Sequence, residues 1–164
     1  MDIEKLHSDL VSAITTALDK HRDVFESETI ACLAIDIHPY NSFLSLCMRI
    51  DTDEQDVPWV SDWKYSQFAN VNNWPEGSEL ADRLRHAYEK LREIGPQSGS
   101  DGTFCWPFFM AAGRALNAPE VTQWLETLNQ TTDFLCFVGD PDDMGRTDPP
   151  FNFCLLAQAF EKVE

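Results

Sequence analysis

Carboxylates are the side chains most able to do chemistry in this sequence, and they gather in two short stretches. Asp51, Asp53, Glu54 and Asp56 alternate with Thr52 and Gln55, and Asp140, Asp142 and Asp143 surround Pro141. Clustered carboxylates can hold a hard cation, move a proton, or receive the lysines and arginines of a basic partner. The first stretch fails as a calcium loop of the EF-hand type. Counted from Asp51, the position that needs Gly holds Asp56, and the one that needs Glu holds Asp62. A strand leads into it where a helix is required. The second stretch follows the apolar run Phe134–Val138, a place where open α/β sheets often carry ligands. An ordinary solvated surface turn is the better reading of it.

Nucleophilic chemistry has one weak candidate. His38 could pair with Cys32 or Cys47 from neighbouring strands, although a histidine before Pro39 is more commonly a turn residue. His7, His21 and His86 fall on predicted helices. The sequence has no GxSxG elbow, no phosphate-cradling glycine loop, no HExxH and no deaminase signature. It also lacks any CxxC or Cys/His grouping of zinc type. The expectation is therefore a protein without catalytic residues, metal or cofactor.

Charge is the outstanding compositional feature. Asp and Glu number 28 against 12 Lys and Arg, a net −16 spread along the chain. Such a field repels nucleic-acid phosphates and anionic membranes and attracts a basic protein. Five cysteines, four of them in apolar stretches, behave as small hydrophobes and suggest a reducing, cytoplasmic setting. The charged N-terminal residues predict no signal peptide, and no apolar run is long enough to span a bilayer.

The elements that must position these residues follow from hydrophobic periodicity. Asp2 caps a helix striped by Ile3, Leu6, Leu10, Ile14 and Leu18 that ends near Arg22. A β-hairpin spans Thr29 to Asp51 and folds back at His38–Ser42. Its second arm turns Leu44, Leu46, Met48 and Ile50 to one side and Phe43, Ser45, Cys47 and Arg49 to the other. Its first arm is apolar on both sides up to Asp36, as in a strand covered on both faces. Val57 to Pro75 reads as a loop-rich aromatic layer, with Asn70, Asn72 and Asn73 as turn residues. Ser78 caps a helix striped by Leu80, Leu84, Ala87, Leu91 and Ile94 and stopped by Gly95-Pro96. A linker over 95–102 leads to a helix from Phe104 to Leu116 with Pro107 in its first turn. Another helix carries Val121, Trp124, Leu125 and Leu128; Phe134–Val138 is an interior strand, and Phe151 to Phe160 is a C-terminal helix.

These elements predict one α+β domain over 1–164. Its sheet is mixed or antiparallel, has about four or five strands built on the hairpin, and is covered by about five helices. In order and motif the chain resembles the bacterial domain-of-unknown-function family 4303. The residues that carry the likeness are Asp51-Thr52-Asp53-Glu54, Asp62-Trp63-Lys64-Tyr65 and Phe137-Val138-Gly139-Asp140. That family implies no activity. Size and charge are similar to those of small acidic immunity proteins of toxin systems, by analogy alone. The expected function is binding of a basic protein, such as a toxin, through Asp51, Asp53, Glu54, Asp56, Trp63, Tyr65, Asp140, Asp142 and Asp143. The alternative is a small-ligand or enzyme pocket between the aromatic layer, Trp59 to Trp74, and the sheet.

Overall fold

A computed structural model describes residues 2–53, 63–94, 101–139 and 154–156, with no side-chain detail for 101–104 and 154–156. It is an α+β fold in which a five-stranded mixed sheet carries its helices on one face. The hairpin forms as expected: β1 (Thr29–His38) and β2 (Phe43–Ile50) pair antiparallel, from Ile30 opposite Ile50 to His38 opposite Phe43. A 3₁₀ turn, Pro39–Asn41, joins them, with Ser42 at φ 53° taking the left-handed conformation that closes it.

β1 sits at the centre of the sheet, and every residue of it after Thr29 is buried. β4 (Asn129–Gly139) runs parallel to it on the other side, longer than the expected Phe134–Val138 and interior as expected. Two stretches depart from the sequence expectation. Tyr65–Asn70 forms β3, an antiparallel edge strand on β2, where the aromatic layer was expected to be loop. Its aromatic residues, Tyr65 and Phe68, suit a pleated surface, and β2 supplies the free backbone groups that draw it in. The asparagines do make the turn that follows: Asn73 Oδ1 accepts the Asn70 amide at 2.7 Å and Asn70 Oδ1 the Asn72 amide at 2.8 Å. Cys154–Leu156 forms β5 on the outer edge of β4, where a C-terminal helix was expected. Periodicity does not separate a short apolar strand from a helix there, and the unpaired edge of β4 decides it. The remainder of the expected helix lies outside the described residues.

The helices are α1 (Ile3–Lys20), α2 (Arg22–Phe25), α3 (Pro75–Ile94), α4 (Asp101–Leu116) and α5 (Pro119–Leu125). Asp2 caps α1, accepting the amides of Glu4 and Lys5 at 3.1 and 3.2 Å. α3 starts one turn before Ser78, because Pro75 has the φ that a first helical position needs and Ser78 already bonds back to the Trp74 carbonyl. α4 starts at Asp101, so Pro107 stands inside the helix and not in its first turn, and residues 101 and 102 of the expected linker are helical.

Leu33, Ile35 and Ile37 of β1, Leu44, Leu46 and Met48 of β2, and Cys136 and Val138 of β4 face the helices. They pack against Leu6, Leu10, Ile14 and Leu18 of α1, Leu80 and Leu84 of α3, and Phe108 of α4. On the opposite face Cys32, Ala34, Cys47 and Trp63 form a second buried cluster with Phe137. Among the described residues no helix is long and apolar enough to cross a membrane.

Candidate acidic interface at one end of the sheet

The start of β1 and the end of β2 lie side by side, tied by the Asp51 amide to the Thr29 carbonyl at 2.9 Å. This register brings Asp51, the first residue of the acidic run, next to the α2–β1 turn, which carries Glu26 and Glu28. Two carboxylates here are structural. Asp53 Oδ2 accepts the Ile50 amide at 2.9 Å and its Oδ1 the Lys64 amide at 3.3 Å, so one side chain pins the end of β2 to the entry of β3. Glu28 Oε1 accepts from both Lys64 Nζ and the Tyr65 hydroxyl at 2.7 Å. The Lys64 bond, then the Tyr65 bond, hold the Glu28 carboxyl below its usual range. Lys64 is correspondingly held above its ordinary value by Glu28, and Tyr65 is raised first by burial and then by Glu28.

Lys64 and Arg22 are each paired with a carboxylate. Lys64 is spent on Glu28. Arg22 lies 3.1 Å from Asp19 and stacks over Trp124 with its guanidinium carbon 4.6 Å from the ring centre. Asp23, Glu26 and Asp51 are exposed, and among the described residues no cation is placed against them. Exposed carboxylates near this end of the sheet thus accompany Glu28, which Lys64 pairs, and Asp53, which backbone amides hold. Carboxylates so arranged can receive Lys and Arg side chains at short range. Among the described residues no group of three or more His, Cys, Asp or Glu side chains could hold a metal ion.

The expected contact residues do not act alike. Asp51 is exposed, Asp53 is partly buried and hydrogen-bonded as above, and Tyr65 is partly buried with its ring edge-on to Phe25 at 5.4 Å. Trp63 is only 9 % exposed and belongs to the packing of the second sheet face, with Arg49 6.0 Å above its ring. Glu54, Asp56, Asp140, Asp142 and Asp143 lie outside the described residues. Gly139, which precedes Asp140, pairs with Asp36, seven residues along β1 from Thr29. At ~3.3 Å per residue the last described residue before the second acidic stretch is about 23 Å from the end that carries Asp51. Sequence reasoning missed Asp23, Glu26 and Glu28, although the Glu26-Ser27-Glu28 run directly before a strand was a visible signal.

The aromatic layer is largely used in packing. Phe68 meets Phe25 edge-on at 5.0 Å, and Trp74 is buried at the start of α3; Trp59 lies outside the described residues. The Cys–His pair does not form either. Cys47 stands opposite Ala34 and His38 opposite Phe43, four residues and about 13 Å apart along the strand. Cys47 Sγ instead accepts the Gln67 amide at 3.1 Å and lies 3.6 Å from Asp36 Oδ2, while burial and the Asp36 charge push its thiol far above the ordinary value. Such a thiol stays protonated at neutral pH and is a poor nucleophile. His38 is buried between Tyr40 and Phe43, its Nδ1 3.2 Å from the Tyr40 hydroxyl.

No family model, curated protein or solved structure matches this chain.

Proposed function

We propose that the chain is a non-catalytic binding module that receives a basic protein on the acidic end of its sheet. The specific form we favour is an immunity protein that covers a basic toxin. The observation that carries the reading is the exposure of Asp23, Glu26 and Asp51 with no cation placed against them among the described residues, in a molecule of net charge −16. Support comes from the rigid base beneath them, where Asp53 and Glu28 each tie two elements together. Preorganised charge of this kind speeds encounter and fixes orientation more than it adds affinity. The motif likeness to domain-of-unknown-function family 4303 at Asp51–Glu54 and Trp63–Tyr65 belongs to the same proposal.

The test is affinity capture from cells that contain the natural partner, with the full chain and an Asp23→Lys/Glu26→Lys/Asp51→Lys variant as baits. A basic protein held by the wild type at low salt, released at about 0.5 M salt and not held by the variant, is the expected result. Recovery of no basic protein, or equal recovery on both baits, would overturn the reading.

A further inference from the structure

A groove of about 680 Å³ lies between the first turns of α1, the second half of α3 and Pro107 of α4. It is far from the acidic end: α1 alone separates its own first turn from α2 by about 27 Å. The walls are mainly apolar, formed by Leu6, Leu84, Ala87, Leu91, Ile94 and Pro107. Ile94, at the mouth of the groove, is 82 % exposed.

The rim is richer in cations than the molecule as a whole. Lys5, Arg83, Lys90 and His86 line it, with Asp2 and Glu93 as the acidic residues. Asp2 is turned to the amides of α1, and Asp9, just outside, is shared by Lys5 at 3.2 Å and Arg83 at 2.7 Å. Lys90 has no carboxylate within ion-pair distance among the described residues. His86 donates from Nδ1 to the Asp82 carbonyl at 2.7 Å, which leaves Nε2 available.

We propose that this groove binds a single-chain anionic amphiphile, a long-chain carboxylate, with the chain along the apolar walls and the carboxylate at Lys90. The volume falls in the range of about 300–1,000 Å³ usual for small-molecule sites. Charge selects among occupants. An acidic protein segment or a second copy of this chain meets the repulsion of sixteen excess negative charges. A basic segment meets Lys90, against which no carboxylate is placed among the described residues, at close range. A ligand with one negative charge and a large apolar part suffers least from the first and gains from the second. This inference is independent of the acidic-end reading and can fail without it.

Calorimetric titration of the full chain with dodecanoate, below its micelle concentration, tests the assignment. Saturable one-to-one binding is expected, weakened roughly fivefold by Lys90→Glu, the scale of an exposed charge contact. Ala87→Trp, which fills the groove, is expected to abolish it, and dodecanol is expected to bind more weakly than dodecanoate. Lys90 is exposed, so Lys90→Glu remains decisive if Ala87→Trp folds poorly. The proposal is overturned by absence of saturable binding, by unchanged affinity in Lys90→Glu, or by dodecanol binding as tightly as dodecanoate. A groove that takes up an acidic amphipathic peptide and refuses dodecanoate overturns it as well.

Discussion

Glu28 shows how one carboxylate can organise the end of a sheet. Its Oε1 draws in both Lys64 and Tyr65, so the charged form is favoured in the folded protein and the carboxyl titrates below its usual range. Asp9 and Asp19 are lowered in the same way, Asp9 chiefly by Arg83 and Asp19 chiefly by the Trp124 indole N–H at 2.6 Å. A depressed carboxyl means that the unfolded chain binds more protons near pH 4, so stability rises with pH there. These groups contribute fully above the unfolded carboxyl values of about 3.9–4.3, and the contribution is lost as pH falls through the lower folded values. Glu28→Gln is therefore expected to flatten the dependence of melting temperature on pH between about 5 and 3. An unchanged slope would show that the Lys64–Glu28–Tyr65 cluster adds nothing in solution. The chief partners of these residues are distant in the sequence: Glu28 and Lys64, for example, are joined only because β3 pairs back on β2, whose end lies against the start of β1.

At the scale of elements, α3 and Trp74 illustrate a tight fit with a measurable consequence. Trp74 precedes Pro75 and folds its ring over Gly77, where a Cβ would collide with the six-membered part of the indole. In an unobstructed helix, Gly→Ala gains roughly 1 kcal/mol. Overpacking a filled site costs about 1–3 kcal/mol, and here the obstacle is a buried ring with little room to move. Gly77→Ala is expected to lower stability on the order of 1–2 kcal/mol in denaturant titration; a gain would mean that the indole swings aside. The stripe of α3 was readable from Leu80, Leu84 and Leu91, but its true start was not. Ser78 offered a plausible cap, and only the stacking of Trp74 on the first turn shows that the helix begins at Pro75. β3 and β5 escaped notice for a related reason. Each is an edge strand whose conformation is set by the neighbour that pairs with it more than by its own pattern.

At the scale of the whole molecule, the surplus of negative charge opposes the compact state while it favours a cationic partner. Raising ionic strength from low salt to about 0.2 M is expected to raise the melting temperature of the free protein, because screening relieves self-repulsion. The same change should weaken capture of a basic partner, and this opposition of signs separates the two roles of the charge. A melting temperature that falls or stays constant would mean that the ion pairs seen at Asp9, Asp19 and Glu28 outweigh the repulsion.

The central hairpin, the amphipathic helices and the absence of familiar catalytic motifs are all legible in the amino-acid pattern. Those features rest on local periodicity and composition, and any chain with that pattern must bury the same stripes. Tertiary structure alone decided which acidic residues meet. It placed Glu26 and Glu28 beside Asp51, turned Asp53 inward as a backbone acceptor, and buried Trp63 under the second face of the sheet. It also set Cys47 against Asp36 instead of His38. The reason is strand register, which joins residues far apart in the chain by backbone hydrogen bonds that carry no mark in the side-chain sequence.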